Sequence, residues 1–97
     1  MQFEWDPEKA RSNLLKHGVS FEAVNEFEWE SHVRTPDRRF DYGETRYKAL
    51  GKINGRVHAL IFAETIEGMR LVSLRKANSR EVRFYDRNIY RPAPAGI

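Results

Sequence analysis

The chain has 97 residues, 40% of them apolar and 12% aromatic, which suits one domain with one modest core and excludes wholesale disorder. Cysteine is absent, so disulfides and thiolate metal sites are excluded, and the composition suits a reducing cytoplasm. No apolar run approaches the roughly 18–20 residues of a membrane span and the first residues carry no secretory pattern, so a cytoplasmic protein with no membrane contact is expected.

The formal charge is +3, but it is unevenly placed. Residues 1–30 carry seven acids against three bases, a balance of −4, whereas residues 31–97 carry fourteen bases against seven acids, a balance of +7. Twelve of the seventeen bases are Arg, the side chain that best matches phosphate geometry. This asymmetry predicts a basic face able to meet nucleic acid, set apart from an acidic region.

Gln2 to Trp5 reads as a short strand, with Phe3 and Trp5 on one side and Gln2 and Glu4 on the other. Asp6-Pro7-Glu8 predicts a helix start: Asp as N-cap, Pro at the first helical position and Glu in the first turn. The helix is expected to run to about His17, where Lys16 and His17 suit its negative end and Gly18 supplies a left-handed stop. Ala10, Leu14 and His17 fall on one stripe, with Leu15 beside it. Ser20 caps a second predicted helix, in which Phe21, Val24 and Phe27 recur at helical spacing and Glu22, Glu26, Glu28 and Glu30 face outward. The two helices form a hairpin with a very short turn.

Residues 30–44 hold Pro36, Asp37, Asp41 and Gly43 with little periodicity and read as a long loop. Three strand signals follow. Thr45 to Ile53 and Arg56 to Glu64 flank Asn54-Gly55, a strong hairpin signal, and the unbroken apolar run of the second predicts a central strand buried on both faces. After a turn at Glu67-Gly68, Met69 to Arg75 forms the last strand, and Asn78-Ser79 caps a helix from about Arg80 to Tyr90. Val82, Tyr85 and Ile89 form its inward side. The expected fold is α+β, in the order β-α-α-β-β-β-α: an antiparallel sheet of about four strands with helices against one face. Residues 1–90 form a single domain, and 91–97, with two prolines, form a flexible tail.

Metal and nucleophile chemistry fit these residues poorly. His17, His32 and His58 are scattered without paired carboxylates, and Asp37, Asp41 and Glu44 near His32 have no regular ligand spacing and read as solvated. Ser20, Ser31, Ser73 and Ser79 lie in no Gly-x-Ser-x-Gly context, and the glycines mark turns rather than a phosphate loop. No metal and no cofactor are expected.

Cations and aromatics remain. Arg46 and Lys48 alternate with Tyr47 and so share a face of their strand; Arg56 and His58 share a face of the next. Arg75 lies at the end of the last strand with Lys76 beyond it, and Arg80, Arg83 and Arg87 line the following helix. Sheet pairing is expected to gather Arg46 or Lys48, His58 and Arg75 into one cluster, with Tyr85 near. Such a set suits RNA cleavage without a metal: one group assists removal of the 2′-OH proton, Arg stabilises the phosphorane, and another acid protonates the leaving 5′-oxygen. The competing reading is a solvated basic face. On the first helix Lys9, Asn13, Lys16 and His17 lie along neighbouring stripes. His17 suits capping or core filling as well as proton transfer, and Asn13, a poor residue for mid-helix, predicts a side chain that braces a loop backbone.

Phe3-Glu4-Trp5-Asp6-Pro7-x-Lys9-Ala10-x-x-Asn13-x-x-Lys16-His17-Gly18-Val19-x-Phe21 resembles the N-terminal signature of the BrnT family of toxins. Gly43-Glu44-x-Arg46-Tyr47, the hairpin, and Ser73-x-Arg75-Lys76-Ala77-x-x-Arg80-Glu81 resemble its remaining blocks, so the likeness covers residues 2–90. Trp29-Glu30-Ser31 departs from the short Asp-Pro turn expected there. The resemblance implies a type II toxin: a ribonuclease of RelE-like fold that cleaves RNA and blocks translation. It implies a BrnA-type antitoxin partner in a complex of two toxins with two antitoxins, operator DNA being met only through the antitoxin. It carries over Arg75, Lys76, Arg46, Lys16 and His17 as motif positions, and RelE-like fold analogy points to Arg46, Arg75 and Tyr85.

The catalytic candidates are therefore Arg75, Arg46, His17, His58 and Tyr85, and the RNA-contacting candidates Lys76, Arg80, Arg83, Lys48, Lys16 and Lys9. A free sheet edge and the helix hairpin are the expected antitoxin surfaces. Two other functions fit the same residues: a non-catalytic module whose basic face binds nucleic acid or an acidic protein, and a degenerate toxin kept as the antitoxin's partner.

Overall fold

The computed structural model describes residues 2–39, 41 and 43–89. At its centre is the strand Arg56–Glu64 (β4), whose apolar run is buried from Val57 to Ala63, as that run predicts. The strands Arg46–Ile53 (β3) and Gly68–Lys76 (β5) flank it in antiparallel register. β3 and β4 meet at a two-residue turn in which Asn54 and Gly55 both take positive φ (50° and 81°), the geometry that an Asn-Gly pair adopts readily.

Two edges complete a five-stranded sheet of order β1-β5-β4-β3-β2. Gln2–Glu4 (β1) lies parallel to β5, which makes the sheet mixed rather than antiparallel. Val33–Pro36 (β2) pairs antiparallel with β3, inside the segment that reads as loop. It escapes sequence detection because it is short, carries Arg34 and Pro36 on its exposed positions, and ends at a proline, which an edge strand tolerates. The four-strand expectation is corrected to five on these grounds.

The helix Pro7–His17 (α1) has the predicted caps: the Asp6 side chain accepts from the Glu8 N–H, and Gly18 closes it at φ 70°. Its inward face differs from the expected stripe, since Leu14 and Leu15 are exposed and Asn13 is buried. The second helix of the hairpin is instead a 3-10 segment, Phe21–Glu26, followed by a short one at Trp29–Ser31. Phe21, Val24 and Phe27 are three apart, which matches three residues per turn, and Phe27 is pulled extended by a bridge to Ile53. The last helix spans Ser79–Asn88 (α2). The predicted end at Tyr90 and the tail 91–97 lie outside the described residues.

Helices cover both faces of the sheet, not one. α1 and the 3-10 segment cover Leu60, Phe62, Leu71 and Leu74, while α2 lays Tyr85, Val82 and Ile89 on Leu50, Val57 and Ala59. Each fully buried side chain, such as Phe21, Phe62 or Leu60, contributes about 1.5–3 kcal/mol. Among the described residues, no helix is long and apolar enough to cross a membrane.

Candidate functional site

α2 covers only part of its face of the sheet. The rest forms an open cleft of about 370 Å³, floored by Arg46 and Lys48 of β3, Ile61 of β4 and Arg75 of β5, and walled by residues 35–39. Arg46 and Lys48 share this face through strand alternation, as predicted. A bulge shapes the floor: Ile61 opposes Ser73 and Phe62 opposes Leu71, so Val72 is an extra residue, and both Val72 and Ser73 line the cleft. Among the described residues, five cations (Arg38, Arg39, Arg46, Lys48 and Arg75) and one carboxylate, Asp37, line the cavity.

Arg75 is fixed there by Glu81. Its two terminal nitrogens donate to the two Glu81 carboxylate oxygens at 2.7 and 2.9 Å, and Lys48 Nζ donates to the same carboxylate at 3.0 Å. Glu81 also accepts from the Asn78 N–H at 2.9 Å, while the Asn78 side chain accepts from the Glu81 N–H at 2.8 Å, a capping box. The carboxylate that starts α2 is thus also the clamp on two cleft cations. Its bond to Arg75 foremost, with help from Asn78 and Lys48, holds its pKa down to about 2 despite burial. Reciprocally, Glu81 raises the pKa of Arg75.

At the other end of the cleft Glu44 accepts from Arg46 Nε at 2.8 Å and from Arg70 at 2.5 Å, and these two cations lower its pKa, Arg70 foremost. Asp37 accepts two hydrogen bonds from Arg39 at 2.8 and 3.0 Å. The expectation that Asp37 and Glu44 are merely solvated is therefore corrected: both hold arginines at the cleft. Among the described residues no three His, Asp or Glu side chains stand together as metal ligands.

The expected gathering of His58 and Tyr85 with Arg46 and Arg75 does not occur. His58 lies between Val57 and Ala59, which face α2, so alternation turns it to the opposite side of the sheet. It is buried there, donates from Nδ1 to the Arg56 carbonyl at 2.7 Å, and has a lowered pKa because of that burial. Tyr85 is buried in the core beneath α2, its hydroxyl 3.5 Å from Ser31 Oγ. Lys76 follows Arg75 along β5 and so turns away from the cleft. Lys9 and Lys16 are exposed on α1, which packs on the far face, while Arg80 and Arg83 are exposed on α2 and neither lines the cleft.

His17 does not line the cleft; its pKa is lowered, first by burial and then by the charges of Lys16 and Arg75. Asn13 braces backbone as its position predicts. Its amide donates to the Leu74 carbonyl at 2.7 Å and to the Val19 carbonyl at 3.0 Å, and its oxygen accepts from the Leu74 N–H at 3.1 Å. β1 pairs β5 only as far as Arg70, so the Asn13 amide stands in for a neighbouring strand at Leu74.

Glu81, Glu44 and Asp37 stand outside the site residues that the sequence pattern singles out. For Glu81 a signal existed, because Asn78-x-x-Glu81 is a capping-box pattern three residues past Arg75. A family model described as "Ribonuclease toxin, BrnT, of type II toxin-antitoxin system" matches residues 5–81, a span that holds Arg46, Lys48, Arg75 and Glu81. No curated protein matches the chain.

Proposed function

Because this chain belongs to the BrnT family, ribonuclease toxins of type II toxin–antitoxin systems, we propose that the cationic cleft is where it binds and cleaves RNA. The observation that carries the reading is the clamped Arg75, a guanidinium fixed by Glu81 in a cleft with four further cations. A pre-positioned guanidinium needs no reorganisation to meet a phosphate, and a cleft walled by cations concentrates a polyanion.

In the proposed reaction the ribose 2′-oxygen attacks the adjacent phosphorus and the bond from phosphorus to the 5′-oxygen breaks. The 2′-OH proton passes to water, because no imidazole among the described residues lines the cleft and α1, which carries His17, packs on the far face. Arg75 stabilises the charge gained by the phosphorane, Lys48 gives a proton to the leaving 5′-oxygen, and Arg46 holds a neighbouring phosphate. The products are a 2′,3′-cyclic phosphate and a 5′-hydroxyl. The reading is metal-independent, because the five cleft cations outnumber the carboxylates paired with them, Asp37, Glu44 and Glu81, and so disfavour a divalent cation.

Cutting of messenger RNA by this route inhibits translation. A BrnA-like antitoxin neutralises the toxin in a complex of two copies of each and binds operator DNA on the toxin's behalf. The exposed Leu14 and Leu15 of α1 give that antitoxin an apolar landing face away from the cleft. If so, Leu15→Glu weakens co-purification with the antitoxin and spares cleavage; undiminished co-purification assigns the antitoxin to another face.

The test is incubation of purified toxin with a defined RNA in the presence of EDTA, followed by end analysis. Discrete cuts ending in 2′,3′-cyclic phosphate support the proposal. Salt-sensitive binding without cuts supports a non-catalytic binding module, unless added ribosomes restore cutting.

A further inference from the structure

A second cavity, of about 240 Å³, opens beside the cationic cleft and shares Thr35 and Lys48 with it. Its construction is regular. Val33 pairs with Leu50 and Thr35 with Lys48 across β2 and β3, so two cross-strand pairs make the floor, apolar at one end and polar at the end nearest the cleft. Arg80, Glu81 and Phe84 of α2 make the wall, and the Glu81 carboxylate there is already held by Lys48 and Arg75. Phe84 and Val33 are only partly buried against the core, so each leaves surface open to the groove.

We infer that this groove is a nucleobase subsite, taking the base of one nucleotide adjoining the phosphate held at Arg75; the inference rests on the ribonuclease reading of the cleft. The occupant is argued from continuity and chemistry. A base has apolar faces and a polar edge, and the groove offers an aromatic ring and aliphatic floor beside the Thr35 hydroxyl and the Lys48 ammonium. The backbone leaving such a base runs straight into the cations of the adjoining cleft, while Arg80 at the groove's rim meets the next phosphate outward. Phe84 is the stacking platform and Thr35 the group that reads the base edge, which makes both specificity-determining residues.

The experiment uses the full chain in two arms. In the first, an RNA with a mapped cut is remade with an abasic residue on either side of that cut. kcat/KM falls at least about tenfold at one of the two positions, the loss expected for one stacked base. Phe84→Ala, or Phe84→Leu should the alanine protein fail to fold, no longer distinguishes intact from abasic RNA. In the second arm, an uncleavable 2′-O-methyl oligonucleotide quenches the added tryptophan emission of Phe84→Trp relative to the parent protein. Equal cutting of intact and abasic RNA overturns the subsite and leaves the ribonuclease reading standing. Quenching without any cutting keeps the subsite and removes the ribonuclease reading. Neither cutting nor quenching overturns both. Loss of antitoxin co-purification in Phe84→Ala, together with equal cutting of intact and abasic RNA by the parent protein, assigns the groove to a protein and overturns the inference.

Discussion

Arg75 and Glu81 are joined by two parallel hydrogen bonds, 2.7 and 2.9 Å long, across the junction between the last strand and the last helix. The same carboxylate closes the helix's capping box, so the fold's final turn and the position of the key cation depend on one side chain. Removing one partner of a well-buried pair costs about 3–5 kcal/mol. Here the Arg75 and Lys48 side chains are 30% and 35% exposed beside an 8% exposed Glu81, so solvent screening reduces the figure. Glu81→Gln is expected to lose about 1–3 kcal/mol by urea unfolding. Its RNA cleavage is expected to fall further than its RNA affinity, because Arg75 keeps its charge and loses its fixed aim. Cleavage kinetics at wild-type level in the folded variant would remove Glu81 as a positioning residue.

Acid stability gives an independent check on the clamp. The Glu81 pKa is lowered from 4.5 to about 2 in the folded protein, so the unfolded chain binds the proton more readily. The stability Glu81 contributes is therefore fully present above about pH 4.5 and is lost as pH falls toward 2. Glu44, also lowered, adds a slope of the same sign that both proteins share. The difference in unfolding free energy between wild type and Glu81→Gln is expected to narrow as pH is lowered through this window. A constant difference contradicts the clamp.

His17 connects the cleft to α1 through charge. Burial foremost, then Lys16 and Arg75, lower its pKa and so favour the neutral imidazole. Because α1 packs on the face opposite the cleft, His17→Gln is expected to leave single-turnover cleavage and its pH profile close to wild type. Arg75→Gln removes one of the lowering charges, so the His17 pKa followed by NMR is expected to move up. An unmoved titration separates the two residues.

Asn13 is a structural test free of the cleft. Its three hydrogen bonds satisfy Leu74 and Val19 backbone groups that no strand reaches. Asn13→Ala leaves buried backbone groups unpaired, at about 1–3 kcal/mol for such a loss, and a 97-residue domain converts each kcal/mol into about 4–8 °C of Tm. Thermal unfolding within 2 °C of wild type, a shift well under about 4 °C, contradicts the bracing role.

Gly51 tests the packing behind β3. A methyl group there would overlap the Phe27 ring, against which the strand is closed. Gly51→Ala is expected to destabilise by about 1–3 kcal/mol in urea unfolding, as overpacking does, with the cleft chemistry preserved in the folded fraction. An unchanged midpoint would show that Phe27 moves aside freely.

Local chemistry made much of this fold legible. Asp6-Pro7, Gly18, Asn54-Gly55 and Asn78 all act within a few residues of themselves, and each cap or turn stands where its residue types predict. What escaped depends on distant partners. β2 has too few apolar positions to be recognised without β3 beside it, and the parallel pairing of β1 with β5 is fixed by tertiary packing. Alternation gave the common face of Arg46 and Lys48, but not which face of the neighbouring strand would meet it, so His58 was misplaced by one residue's parity. Tyr85 stands on the inward side of its helix, as its spacing predicts, and that side is core rather than cleft. Glu81, Glu44 and Asp37 were hidden because a carboxylate looks solvated until the arginine it holds is seen.

The central claim is that Arg75 stabilises the transition state of RNA cleavage in this cleft. It is tested most directly by single-turnover cleavage of one mapped RNA by wild type, Arg75→Lys and Arg75→Ala, each shown by thermal unfolding to be folded. The account predicts a loss of at least about a hundredfold for Arg75→Ala, as for removal of one pre-organised transition-state donor, and a smaller loss for Arg75→Lys, which keeps charge but not the paired geometry. Cleavage by folded Arg75→Ala at the wild-type rate would contradict it.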